Sequence, residues 1–464
     1  MGLRKDLKNA LEAIEILKEI NSNQKEIIAR QKEINENQNE IIDRQNKVIE
    51  ELTKKLEEIE EKIKEREIPS FVKEDVNHRH EKTGQKEGHE GYSRHIPERT
   101  DKVKELNLNE CPRCGGHNLS DVQEIRERYV TDIPEPQEPI VTKYKIPRKY
   151  CRDCKTLVEP TVTDALPNAR FGLRLMLYVL FLKIGMAMPI EKILELVKNQ
   201  YKLDLSNGEV VCILEQLSRE FGPYYKELKQ KIIEAKSRHI DETGRRIAGE
   251  NHWMWVFITK EVAFYAVRKG RGHEVPLKIL GKNCGGVNIT DRLSAYYVLQ
   301  EKTDCVMQVC WVHILRESKK LEEDFEEGKI VHKRLKSIYK KACSFDHKGT
   351  EKDVEKLIKR IENIRKIKFT STKCDKFIKR LSIKDRENLF RFVVDPEVES
   401  TNNRAERGLR PDVVIRKISG GNRSKEGAKI HECLLSVMQT YRLQNKNLLT
   451  EGLSYLQNQL QTAK

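Results

Sequence analysis

From Leu17 onward, apolar and polar positions recur with a seven-residue period. Ile20, Ile27, Ile34, Ile41 and Val48 fall on one line of a helix; Leu17, Gln24, Gln31, Gln38, Gln45, Leu52 and Ile59 fall on the adjoining one. The repeat is visible in the letters QKEIIAR, QKEINEN, QNEIIDR and QNKVIEE, which begin at Gln24. Heptads with glutamine at alternate core positions predict a coiled coil whose buried polar side chains weaken it but fix register and partner number. Residues 1–67 are therefore expected to be an oligomerisation helix joining two copies of the chain as a homodimer. The period stops at residues 68–105, which hold Gly84, Gly88, Gly91, Pro97 and many charges. His78, His80, His89 and His95 lie there too, and a solvated linker is preferred to a metal site.

Between residues 106 and 165 the pattern is set by cysteine. Cys111-x-x-Cys114 and Cys151-x-x-Cys154 are separated by 36 residues, and each pair suits two thiolates on one tight turn. Two such turns complete a tetrahedral zinc shell, a zinc ribbon. Four cysteines leave no open position, so the zinc would be structural. Thr142, Tyr144 and Ile146 alternate as a strand does, and IPEPQEP before them reads as a loop.

Residues 166–235 carry a helical period. Within them PIEKILELVKNQYKLDLSNGEVVCILEQL reads as helix, turn, helix, with Ser206 and Glu209 as a capping box. This is either a helix-turn-helix that sets residues 207–217 against DNA or an ordinary helical hairpin.

At Arg238 the period switches to two. RHIDETGRRI, HWMWVFIT and VAFYAVRK predict three short antiparallel strands. A helix near Val275–Leu280 follows, then a buried strand, GGVNITD, a helix, LSAYYVLQ, and a strand, CVMQVCW. Three strands, helix, strand, helix, strand is the order of a ribonuclease H-like domain. Residues 314–390 are helical and charged, an insertion that separates 236–313 from 391–445, and 446–464 form a C-terminal helix or tail. The fold class expected is thus multidomain α/β: coiled coil, zinc ribbon, helical DNA-binding region and a ribonuclease H-like domain with a helical insertion.

Charge narrows the partner. The 464 residues carry a net charge of +15, and 35% of them are charged, which suits a polyanion, nucleic acid being the commonest for a soluble protein. The start of the chain is charged rather than leader-like. The longest apolar run, Leu175 to Leu182, is far below the roughly twenty residues a membrane span needs. Eleven cysteines, an odd number, point to a reducing compartment, so a cytoplasmic, DNA-associated protein is expected.

The stretch Thr401 to Ile430 holds eight Lys/Arg and three Asp/Glu, and Glu406 stands among its arginines. One reading pairs Glu406 with Arg410 on one helix face, worth about 0.2–0.5 kcal/mol. The other makes it a metal ligand beside a phosphodiester, which needs further acids. Asp241, within the first strand of the meander, and Asp291, closing the first buried strand after it, supply them, because the first and fourth strands of such a sheet are neighbours. Clustered carboxylates repel unless a cation lies between them, and oxygen donors select Mg²⁺ or Mn²⁺. Two ions would serve an in-line displacement at phosphorus. Arg404, Arg407, Arg410, Arg416, Arg423 and Lys425 are candidate phosphate contacts, and Asn402, Asn403 and His313 candidate neighbours of the acids. Glu242 and Glu399 are near misses, Glu242 because strand alternation points it away from Asp241.

HIDETG, TDRLSAY, CWVH and NNRAERGLRP, in this order after the paired CxxC segment, resemble the insertion-sequence-66 family of DDE transposases over nearly the whole chain. The resemblance implies a catalytic triad of Asp241, Asp291 and Glu406, a helical insertion before the last acid, strand cleavage and strand transfer at the ends of an insertion sequence, and accessory proteins as further partners. Where the family commonly has a second basic residue after Cys-Trp-x-His, this chain has ILRESKK. Two other readings compete. His313, Arg316 and Tyr339 imitate part of a tyrosine recombinase site, and the zinc ribbon and coiled coil would also suit a non-catalytic DNA-binding protein.

Overall fold

The computed structural model describes residues 2–65 and 97–462; His78, His80, His89 and His95 lie outside the described residues. The chain divides into two compact units between Thr131 and Asp132.

In the first unit, α1 (Gly2–Glu65) is one helix of 64 residues, about 96 Å long at 1.5 Å per residue. Among the heptad positions whose side chains are described, Leu17 is 63%, Val48 54% and Leu52 55% exposed. In the stretch from Pro97 to Thr131, a tight turn joins Cys111 to Cys114.

The second unit begins with a small hairpin, β1 (Lys149–Cys151) and β2 (Thr156–Val158). The strand expected at Thr142, Tyr144 and Ile146 does not form. Pro139 and Pro147 donate no ladder hydrogen bond, and the side chains between them are exposed, so regular pairing starts only past Pro147. Helices α2 (Leu173–Leu180), α3 (Ile190–Tyr201), α4 (Asn207–Glu220) and α5 (Gly222–Glu234) follow. The capping box opens α4 as the sequence predicts: Ser206 Oγ accepts from the Glu209 amide, and the Glu209 carboxylate accepts from the Ser206 amide at 2.8 Å.

The central sheet is built from β3 (Ser237–Ile247), β4 (Glu250–Ile258), β5 (Ala263–Arg268), β6 (Val287–Thr290) and β7 (Val306–Val309), with α6 (Glu274–Leu280) and α7 (Ser294–Lys302) in the crossovers. The order is β5-β4-β3-β6-β7. β3, β4 and β5 run antiparallel, while β6 and β7 join parallel to β3. Alternate side chains of β4 enter separate cores. Trp255 and Phe257 pack on one face with α7, whereas Met254, Val256 and Ile258 pack on the other with α2, α4 and the C-terminal helices. The insertion comprises α8 (Trp311–Asp324), α9 (Glu326–Cys343), α10 (Glu351–Arg365) and α11 (Thr372–Lys379). α8 starts three residues before the expected boundary, so His313 lies on its first turn.

Helices α12 (Asn403–Ser419), α13 (Lys425–Leu443) and α14 (Leu448–Thr462) close the chain. β5 is an edge strand, and an edge exposes unpaired amides. α13 covers it: Glu432 Oε2, Ser436 Oγ and Thr440 Oγ1 accept from the amides of Val267, Tyr265 and Ala263 at 2.6, 2.9 and 3.1 Å. Four helical residues rise about 6 Å and two strand residues about 6.6 Å, so the spacings match. Among the described residues no helix is long and apolar enough to cross a membrane.

Candidate active site

Asp241 and Asp291 are brought together by register. β3 pairs with β6 in parallel, His239 opposite Ile289. Asp241 follows His239 by two residues and Asp291 follows Ile289 by two, one residue past the end of β6. Each carboxylate is anchored by an amide: Asp241 Oδ1 accepts from Glu242 at 2.9 Å, and Asp291 Oδ1 accepts from Leu293 at 2.9 Å. Burial, then the negative charges of Glu242, Asp291 and Glu406, push the Asp241 carboxyl well above the usual carboxylate range.

Glu406 reaches this site from the first turn of α12. The start of that helix is set by Asn402, which is fully buried. Its side-chain amide donates to Ile240 O at 2.8 Å, its Oδ1 meets His239 Nδ1 at 3.2 Å, and its backbone amide donates to Cys310 Sγ at 3.1 Å. One residue thus ties α12 to β3 beside Asp241 and to the start of α8. Because its side chain faces β3, Asn402 makes no side-chain cap bond. Asn403 is half-buried.

The Glu406 carboxylate is met by His313 rather than by Arg410, with Nε2 3.6 Å from Oε1. Burial lowers the His313 pKa, against the pull of Asp291 and Glu406, and its Nδ1 is buried without a hydrogen-bond partner. Among the described residues no three His, Cys, Asp or Glu side chains converge tightly enough to hold an ion between them. Asp241 nevertheless feels the charge of both other acids, and their donors are the hard oxygens that suit Mg²⁺ or Mn²⁺.

The near misses have other partners. Glu242 accepts from Arg271 Nε at 2.8 Å and from the Tyr296 hydroxyl at 2.5 Å. Glu399 pairs with Arg404, whose Nε lies at 3.0 Å. Arg404 is therefore turned away from the surface, whereas Arg407, Arg410, Arg423 and Lys425 are exposed and Arg416 is half-buried. Tyr339 stacks on Trp311 with centroids 5.2 Å apart, and its hydroxyl meets Ser400 Oγ at 3.0 Å. Those are packing contacts, unlike the free hydroxyl a recombinase nucleophile needs.

Two features went unseen in the sequence. Arg271 holds Glu242, and Arg292, next to Asp291, lies within 3.4 Å of the buried Asp385 in the insertion. The motif TDRLSAY contains Arg292, but nothing in the letters near Asp385 announces its partner 93 residues earlier.

The two cysteine pairs repeat one local geometry. In the first, Cys111 O accepts from Gly115 N at 2.8 Å and the residue after the second cysteine, Gly115, has φ +74°. In the second, the corresponding Lys155 has φ 54°. Amide hydrogen bonds, from Arg113 and Cys114 in one case and from Cys154 and Asp153 in the other, lower the pKa of Cys111 and Cys151. Thiols held toward thiolate on such turns suit zinc. Cys111 and Cys114 stand in the first unit, Cys151 and Cys154 in the second.

The mixed α/β sheet carries Asp241 within β3 and Asp291 just past the end of β6, and Arg407 and Arg410 are exposed on α12. Residues 168–430 match the family described as transposase IS66 family, and residues 109–155 match the zinc-finger binding domain of transposase IS66. The first match spans more than half of the 464 residues, and the chain belongs to the IS66 transposase family. It is also similar to an uncharacterized protein, y4hP, of Sinorhizobium fredii (strain NBRC 101917 / NGR234), 22% identical over 380 residues that cover 72% of this chain and 67% of that protein.

Proposed function

We propose that this transposase cuts and joins DNA at the ends of an insertion sequence by metal-dependent phosphoryl transfer, with Asp241, Asp291 and Glu406 as the acids of a ribonuclease H-like core. The observation that carries the reading is the pairing of β3 with β6, His239 opposite Ile289 and each two residues before an acid, with Asp291 and Glu406 both raising the pKa of the Asp241 carboxyl. The strand order β5-β4-β3-β6-β7, with three antiparallel and two parallel members, supports the fold assignment.

The three acids would hold two Mg²⁺ or Mn²⁺ ions, which supply Lewis-acid activation of the attacking oxygen and charge stabilisation of the leaving one. The chain's own residues do the positioning. Asn402 fixes the start of α12 against β3, and His313 sits 3.6 Å from the Glu406 carboxylate. Arg407, Arg410, Arg416, Arg423 and Lys425 would hold the DNA backbone from α12 to the start of α13, with Arg404 bound instead to Glu399. Cys111, Cys114, Cys151 and Cys154 would complete a structural zinc site, and the heptad lines of α1 would pair two copies so that both element ends are processed together.

The test is strand cleavage and joining on a labelled oligonucleotide carrying the element's own terminus, with Mg²⁺ or Mn²⁺ added, comparing the native protein with Glu406→Gln. Loss of both reactions with DNA binding retained is expected. Equal activity in the two proteins would remove Glu406 from the site.

A further inference from the structure

Gly244 stands inside β3, where glycine weakens a strand and marks a bulge, a bend or the close approach of another group. A bulge is excluded, since β3 pairs with β4 without a break from His239 to Ile247. Gly244 is also absent from the glycines with positive φ, and a Cβ built on it would meet nothing within 4 Å. The missing side chain leaves open space beside the strand.

That space is part of a cleft of about 530 Å³, within the range that holds small ligands. Trp253 lies directly opposite Gly244 in register, and Asn251 opposite Arg246, so these four share one face of the hairpin. Arg245 and His252, which alternate to the other face, also line it, as do Gly421 and, from the last turns of α12, Arg416. The lining, over the described residues, contains no carboxylate. Arg246 and Arg416 have no ion-pair partner among those residues, while Arg245 behind them is already bound to Asp412. Arg271 lies over the Trp253 ring, 4.6 Å from its centroid, and is itself fixed by Glu242, which holds the indole in place at the cleft.

An aromatic wall, a gap opened by glycine and two uncompensated guanidinium groups form the recognition set for a nucleotide: a base stacks on the ring and a phosphate meets the arginines. We propose that the cleft binds one unstacked nucleotide of the DNA strand, with the base over Gly244 against Trp253 and the phosphate between Arg246 and Arg416. Gly244 is three residues from Asp241 on the same strand, an odd step that sets the two on opposite faces of the sheet, so the nucleotide is held apart from the reacting phosphate. That it belongs to the DNA being processed rests on the transposase mechanism proposed above; the cleft's chemistry stands without it.

The native tryptophans supply the readout. Trp255 and Trp311 are fully buried, whereas Trp253 lines the cleft, so a base stacking there quenches Trp253. The full-length protein is titrated with single-stranded pentathymidylate and with the same strand carrying an abasic sugar at its centre. Saturable quenching is expected with the first, and affinity about tenfold weaker with the second, the scale of one stacked base. Gly244→Leu places a side chain where a Cβ meets nothing within 4 Å and should weaken the intact strand by a similar factor while far-UV circular dichroism is unchanged. Arg246→Gln should lower the slope of log affinity against log salt by about one phosphate contact. Quenching that is equal for the two strands, or unchanged in Gly244→Leu, would overturn the proposal. Strand transfer by the same preparations is scored separately: a chain that stacks the base but cannot cleave retains the cleft and loses the enzymatic mechanism, and the reverse result retains the mechanism alone.

Discussion

The side-chain amide of Asn402 donates to the carbonyl of Ile240 at 2.8 Å, which locks the first turn of α12 to the strand residue preceding Asp241. Asn402→Ala removes this bond and leaves the buried Ile240 carbonyl unpaired, a loss of about 1–3 kcal/mol. Strand cleavage should fall more steeply than stability, because a misplacement of about 1 Å near the chemistry costs on the order of 100-fold. Urea unfolding and cleavage assays on one preparation check both; a fall in stability with native cleavage would reduce Asn402 to a packing residue.

Asp241 is held in a site that resists its ionisation, by burial first and by Glu242, Asp291 and Glu406 next. Its pKa is raised on folding, so the metal-free protein loses stability as pH rises from the unfolded value near 3.9 through the folded one. Asp241→Asn removes that penalty. At pH 7 without divalent ions the variant should melt at a higher temperature than the native protein. Added Mg²⁺ should raise the melting temperature of the native protein and leave that of the variant unmoved, by the linkage of binding to folding. Identical Mg²⁺ shifts in both proteins would take Asp241 out of the metal shell.

Much of this arrangement is legible in the letters, and the reason is physical. Period-two runs bounded by turn residues mark strands, and the runs at residues 238–247, 252–259 and 262–269 appear as β3, β4 and β5 with ends moved by one or two residues. The capping box at Ser206 is local chemistry and forms as written. Thr142, Tyr144 and Ile146 misled because alternation alone makes no strand: no neighbour pairs with them, and Pro139 and Pro147 bracket them. The partners of Glu242, Glu399 and Arg292 were invisible for a different reason. Those contacts join residues as much as 93 positions apart, and one ion pair leaves no periodic trace.

Arg245, Asp412 and His431 form a buried cluster that ties β3 to α12 and α13. His431 Nε2 lies 2.8 Å from Asp412 Oδ1. Burial and the Arg245 charge lower the His431 pKa. Burial alone would raise the Asp412 carboxyl, but His431 and Arg245 hold it below its ordinary value. Both pKa values are depressed on folding, so both groups contribute stability that is present above their unfolded values and lost as pH falls through their folded ones. Unfolding free energy should therefore decline from about pH 6.5 downward, and His431→Gln should flatten the upper part of that decline. Urea midpoints between pH 7.5 and 5 provide the check; an unchanged slope in the variant would assign the acid sensitivity to other groups.

The insertion is fastened to the site by Asp385, a fully buried carboxylate. It lies 3.4 Å from Arg292 Nη1 and accepts from the Tyr297 hydroxyl. Arg292 follows Asp291 directly, so this ion pair joins the loop that carries one acid of the proposed triad to the segment after α11. Removing the carboxylate leaves the Arg292 guanidinium, 5% exposed, with Glu317 as its remaining partner. Breaking a buried pair from one side costs about 3–5 kcal/mol. Asp385→Asn keeps the shape and the Tyr297 contact and should retain more stability than Asp385→Ala, yet both should slow strand cleavage as the Asp291 loop loosens. Hydrogen exchange at Leu293, whose amide donates to Asp291 Oδ1, reports that loosening directly. Exchange as slow as in the native protein, with cleavage unimpaired, would show that the insertion is fastened to the sheet without steering the acid.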